Sequence, residues 1–189
     1  MRILPLSLIA VLSVSGCTNV VHNLRDEPID PDPHKTTLGT SLNDMQIETG
    51  IGVNIKKSHP LLEKAHINVH SYNSVVLLTG EAPSQEMRSL AGDTARAFRS
   101  VRQVHNELQL ENASSFMSRT NDGWITTKVK SKLVANDSVD SGKIKVVTEG
   151  GVVFLMGIIS QELGNVAAQV ASTTKGVKKV VKVFEYPEL

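Results

Sequence analysis

Trp124 is the only tryptophan in the chain, and Lys128 and Lys132 follow it at intervals of four, beside Ile125, Val129 and Leu133 at the same spacing. A helix turns about 100° per residue. With Ile125 set at the core direction, Val129 and Leu133 fall at about 40° and 80°, Trp124 at about 260°, Ala135 at about 280°, Lys128 at about 300° and Lys132 at about 340°. An indole off the apolar stripe beside ammonium groups is a pair that an anionic bilayer surface favours, with the ring at headgroup level and the ammonium against phosphate. The same ring has a second use: it can pack against the first half of the chain or against Phe116-Met117.

Cys17 is the only cysteine and follows Val14-Ser15-Gly16. Before it, Met1-Arg2 leads into an apolar run from Ile3 to Val14, broken by Pro5 and Ser7, too short for a stable membrane span and shaped as a secretory signal. Val14-Ser15-Gly16-Cys17 resembles the bacterial lipobox, whose cysteine is acylated and becomes the new N-terminus. With no second cysteine to pair, lipid attachment explains Cys17 better than a disulfide, the alternative being an unmodified thiol in a leader. Thr18 rather than Asp at the next position fits onward transport to the outer membrane, facing the periplasm. Each buried acyl methylene adds about 0.8 kcal/mol of membrane binding.

Other chemistries find little support. Of His22, His34, His59, His66, His70 and His105, only His66 and His70 are close, and on a strand they share a face about 13 Å apart, too far for one metal ion without further ligands. No Gly-rich phosphate loop, nucleophile elbow or paired carboxylates are present, so no catalytic residue, metal or cofactor is expected. Lys175, Lys178 and Lys179 read as a solvated helix end and strand start that can join a lipid-facing surface. Without Arg2 the charges balance, 19 Lys and Arg against 19 Asp and Glu, which argues against a nucleic-acid partner.

The elements that must hold these residues are written twice. Ile67-Asn68-Val69, Val75-x-Leu77-x-Thr79-Gly80, Ser84-Gln85-Glu86 and Val101-x-x-Val104 recur as Ile144-Lys145-Val146, Val152-x-Phe154-x-Met156-Gly157, Ser160-Gln161-Glu162 and Val177-x-x-Val180. Each copy reads as helix, strand, strand, helix, strand. Ile47, Ile51 and Ile55 mark a first helix weakened by Gly50 and Gly52; Ile125, Val129 and Leu133 mark a sturdier counterpart with Asn121 or Asp122 as N-cap. Hairpins are expected around Tyr72-Asn73-Ser74 and Glu149-Gly150-Gly151. Ser84 and Ser160 are natural N-caps for second helices, and Val104 to Leu110 and Val180 to Tyr186 are expected third strands. Copies this small bury only about 60% of their unfolded surface, so mutual packing would add stability.

The expected organisation is a signal peptide at 1–16, an acylated Cys17 and flexible tether through 43, a domain at 44–111, a linker at 112–120 and a second domain at 121–187. The tether's Pro28, Pro31 and Pro33 and its acidic run favour extended chain, with a reach of about 25 to 30 Å.

The element order, the Val-x-Leu/Phe-x-x-Gly hairpin and the Val-x-x-Val repeat resemble the BON domain, most specifically at Asn121 to Val129 and Val153 to Gly157. Two such copies behind a lipobox resemble the dual-BON outer-membrane lipoproteins. The resemblance implies an α+β fold, with a mixed three-stranded sheet and two helices on one face of each copy. It further implies no enzymatic activity, phospholipid binding and a role in envelope integrity. The expected partner is an anionic phospholipid membrane, met through Trp124, Lys128 and Lys132. The alternative is an adaptor that docks an envelope protein partner, with Trp124 as an interface anchor.

Overall fold

A computed structural model describes residues 38–110 and 116–187; Cys17, the leader and most of the tether lie outside them. The first helix, α1 (Leu38–Ser58), runs without a break. Its Ile47, Ile51 and Ile55 are fully buried, and this packing outweighs the low helix propensity of two glycines. The two glycines do not interrupt the helix, and Gly50 has a use: a Cβ there would lie 2.5 Å from the Phe98 ring. A short helix, α2 (Pro60–Lys64), follows, with the His59 ring accepting a bond from the Leu61 amide at 3.1 Å.

Strands β1 (Ile67–Tyr72) and β2 (Val75–Ala82) form an antiparallel hairpin, and helix α3 (Gln85–Arg96) crosses over to β3 (Gln103–Asn106), parallel to β2. The second copy repeats this with α4 (Phe116–Val134), β5 (Ile144–Glu149), β6 (Val152–Ile158), α5 (Gln161–Ser172) and β7 (Lys179–Glu185). Ser84 and Ser160 cap α3 and α5 as expected, accepting from the Met87 and Leu163 amides. Where one long third strand was expected, the first copy has two segments, β3 and β4 (Gln109–Leu110). Between them the Glu107 amide bonds to Leu78 O while Leu108 turns into the core. The repeated glycines have a steric cause: a Cβ at Gly80 or Gly157 would come within 2.1 or 2.3 Å of the carbonyl oxygen of His66 or Lys143.

Both hairpin turns place their two central residues at positive φ, Asn73 and Ser74 at 50° and 66°, Gly150 and Gly151 at 58° and 81°, as type I′ turns require. A buried aspartate holds each turn. Asp44 accepts from the Asn73 and Ser74 amides at 2.8 and 2.9 Å and from the Ser71 hydroxyl at 2.6 Å. Asp122, 78 residues later, accepts from the Gly150 and Gly151 amides, both at 2.8 Å. The expectation that Asn121 or Asp122 caps a helix start is therefore corrected. Helix α4 begins at Phe116, within the stretch read as a linker, and both carboxylate oxygens of Asp122 are committed to the turn.

Each sheet has two faces with different partners. One carries the helices, with Val76, Leu78, Met87, Ala91 and Ala95 in the first copy and Val153, Leu155, Ala167 and Ala171 in the second. The other faces meet each other: Tyr72, Val75 and Leu77 pack with Val147, Phe154, Met156 and Val183 in a third apolar core. The order of layers is helix, sheet, sheet, helix. Asn68 Nδ2 donates to Glu149 at 2.9 Å, while Lys145, which matches Asn68 in the repeat, donates to Ser71 O at 3.0 Å and pairs with Glu48 at 2.6 Å. The contact is thus close to reciprocal, one residue out of register because Glu149 corresponds to Tyr72 rather than Ser71, in the manner of an isologous dimer interface. Arg102 and Glu185 close its rim at 2.6 Å.

Candidate functional site

The stripe of α4 that holds the second core is Ile125, Val129 and Leu133, each essentially inaccessible. Because the sheet claims that stripe, side chains a quarter turn away must emerge on the flank. Trp124 does so and is 64% exposed. It sits in the third turn of α4 rather than the first, since the helix starts at Phe116. Lys128, one turn further on, is exposed on the same flank. Lys132 is exposed as well, but its ammonium donates to Thr173 O at 2.9 Å, at the C-terminal end of α5. A cation there satisfies a terminal carbonyl and complements the helix dipole.

The loop after α5 belongs to the same neighbourhood. The backbone of Gly176 lies over the Ile125 side chain, so close that a Cβ would come within 3.1 Å, which brings the loop itself against the turn that carries Trp124, with Lys175 exposed on it. Lys178 donates to Gly150 O at 2.9 Å, and its stem covers Gly151. A sequence can place Lys128 and Lys132 by period alone. The approach of residues 173–178 depends on the α4–α5 packing, and the only local signal for it is Gly176 at a φ of 101°.

Lys130 leaves α4 on the other flank. There it lines a cleft of about 470 Å³ between the copies, with His66, Asn68, His70, Asp122 and Glu149. Most of these polar groups are bonded to one another. Glu149 accepts from Asn68 and from Thr79, at 2.9 and 3.3 Å, and lies 3.7 Å from His66 Nε2. His70 is held neutral: burial, reinforced by the Lys145 charge and opposed by Glu48, lowers its pKa from 6.5 to about 4. His66 and His70 share the sheet–sheet face, and among the described residues no group of three or more His, Cys, Asp or Glu is arranged for a metal. No helix among them is long and apolar enough to cross a membrane.

Comparison with known proteins fits this architecture. The family model described as the BON domain matches residues 43–112 and again 121–188. The chain belongs to the BON domain family, and each copy of the fold is one such domain. It is 38% identical over 165 residues to the 21 kDa hemolysin of Actinobacillus pleuropneumoniae, covering 87% of this chain and 83% of that one. It is 34% identical over 193 residues to the outer membrane lipoprotein DolP of Haemophilus influenzae, covering 98% and 99%. The osmotically-inducible protein Y of Escherichia coli is 30% identical over 152 residues, covering 79% and 75%. With two BON domains and a match along nearly its whole length to that lipoprotein, this is a dual-BON protein of the DolP type, placed at the outer membrane.

Proposed function

We propose that the chain is a non-enzymatic envelope protein that recognises anionic phospholipid through the Trp124 flank of α4, and that acylation of Cys17 keeps it at the membrane. The observation that carries this reading is the exposure of Trp124, an indole 64% accessible on a helix whose apolar stripe is fully used. An indole, with an apolar body and a polar N–H, is suited to a lipid–water boundary. Lys128 supplies an ammonium on the same flank, and Lys132 and Lys175 add two more near by. At about 1 kcal/mol for each lysine near an anionic surface, the set binds weakly in free solution. A protein already held at the bilayer has a high local concentration, and there a few kcal/mol decide which lipid region it occupies. The anchor gives attachment, the flank gives selection, and the outcome is support of envelope integrity. Relatives named as an outer membrane lipoprotein and as a hemolysin support a membrane as the working surface.

The test is vesicle binding by the soluble chain from residue 18 onward. Tryptophan emission should shift to the blue with vesicles containing phosphatidylglycerol and stay put with phosphatidylcholine alone; Trp124→Glu should abolish association and Lys128→Glu weaken it. Equal affinity for the two vesicle types, or full binding by Trp124→Glu, refutes the reading.

A further inference from the structure

The first domain presents a different outer face. On α1, Leu42 and Met45 are 61% and 62% exposed, and Val53 is exposed too. With Ile51 at the core direction, Leu42, Met45, Thr49, Val53 and Lys56 fall between about 120° and 200°, opposite the buried stripe. The repeat provides an internal control. The matching positions of α4, 78 residues on, are Thr120, Gly123, Thr127, Ser131 and Val134; the counterparts of Leu42, Met45 and Val53 are thus Thr120, Gly123 and Ser131, so the fold itself does not require apolar side chains at those three places. At the C-terminal end of this stripe a groove of about 410 Å³ opens between α1 and α2, walled by Val53 and Pro60 and by Lys56, Lys57, His59 and Glu63. Its polar wall is predominantly basic.

The layering limits what can cover this face. Helix α1 packs outside the first sheet and α4 outside the second, with both sheets between them. At about 10 Å per layer, the two helices stand on the order of 30 Å apart and look in opposite directions. If the Trp124 flank rests on the bilayer, as proposed above, the stripe on α1 faces the aqueous side, beyond the reach of lipid. We propose that this face docks a protein whose apolar groove receives Leu42, Met45 and Val53 and whose carboxylate enters the basic groove beside Lys56 and Lys57. This is the mode in which a helix lays spaced apolar anchors into a partner's cleft, with opposite charges fixing the register. The inference rests on the bilayer reading for its orientation.

The test uses the full chain in cells, with a photo-crosslinking residue at position 45, at 53, or at Glu86 of α3, an exposed control in the same layer. Positions 45 and 53 should give one discrete adduct with another protein, and position 86 should not. That protein, once purified, should bind the chain; Met45→Asp and the double variant Lys56→Glu/Lys57→Glu should each weaken the complex at least tenfold, and Trp124→Glu should leave it unchanged. Adducts only with a second copy of the chain, with its own N-terminal segment or with lipid overturn the proposal, as does an affinity indifferent to Met45→Asp. Anionic-vesicle binding by the same variants separates the two readings: Met45→Asp should retain it, which also shows that the variant is folded, and Trp124→Glu should lose it. Loss by Met45→Asp with retention by Trp124→Glu would overturn both.

Discussion

Gly50 and Gly52 lie two residues apart in α1, and the same substitution should move stability in opposite directions at the two sites. A methyl group at Gly50 would sit 2.5 and 2.6 Å from the Cζ and Cε2 carbons of Phe98, roughly 1 Å inside the usual contact of about 3.5 Å. Phe98 is packed against the first core, so either its ring tilts off a favoured rotamer or the helix is pushed away from the sheet. Overpacking of this kind costs about 1–3 kcal/mol, against a gain of about 1 kcal/mol for Ala over Gly in a helix interior. Gly50→Ala should therefore be destabilising, by up to about 2 kcal/mol. A Cβ at Gly52 would have no neighbour within 4 Å, so Gly52→Ala keeps the whole gain of about 1 kcal/mol. Urea denaturation of the soluble chain, followed by far-UV circular dichroism, should show the midpoint falling for the first variant and rising for the second. Adding Phe98→Leu to Gly50→Ala should recover part of the loss, because the smaller side chain vacates the contested space. Midpoints that move in the same direction, or no relief from Phe98→Leu, would refute the steric account of Gly50.

His70 makes stability depend on pH in a defined sense. Its pKa is about 4 in the folded chain against 6.5 when free, so the unfolded state binds the extra proton. The contribution of neutral His70 is complete above pH 6.5 and is lost as pH falls toward 4. His70→Asn should flatten the wild-type slope in that window by up to one proton, about 1.4 kcal/mol per pH unit, read from urea midpoints at several pH values; an unchanged slope would contradict the assignment. The Tyr72 hydroxyl is buried in the sheet–sheet core with no partner among the described residues. Tyr72→Phe should therefore raise stability by about 1 kcal/mol, and a lower melting temperature would show that the hydroxyl is satisfied in solution.

The repeated order of elements, the serine caps and the buried stripes of both first helices are legible in the sequence because each follows from local chemistry or a fixed period. The outward direction of Trp124 follows from the same period. Asp44 and Asp122 were not legible: an acidic residue near a helix start reads as a cap, and their actual partners, the turn amides, lie about 28 residues further along the chain. The start of α4 at Phe116 was hidden because residues 116–120 carry none of the apolar spacing that follows. The split third strand was hidden because Leu108 keeps the register of a strand while the backbone around it breaks away. One signal of the sheet–sheet interface was present and unused. Val75 to Leu78 and Val152 to Met156 are apolar without alternation, the pattern of strands covered on both faces. The burial of His70 could not be read from a six-residue strand whose polar side happened to face another domain.

The nearly reciprocal bonds between the copies, Asn68 to Glu149 and Lys145 to Ser71, have a consequence for how the two halves can differ. Separate identical subunits joined by such a contact must carry the same residues on both sides, and their association fails on dilution. Within one polypeptide the encounter is intramolecular, at an effective concentration set by the connecting segment, so that constraint is lifted. Each half is then free to specialise, and a substitution that would be imposed on two surfaces of a homodimer changes only one.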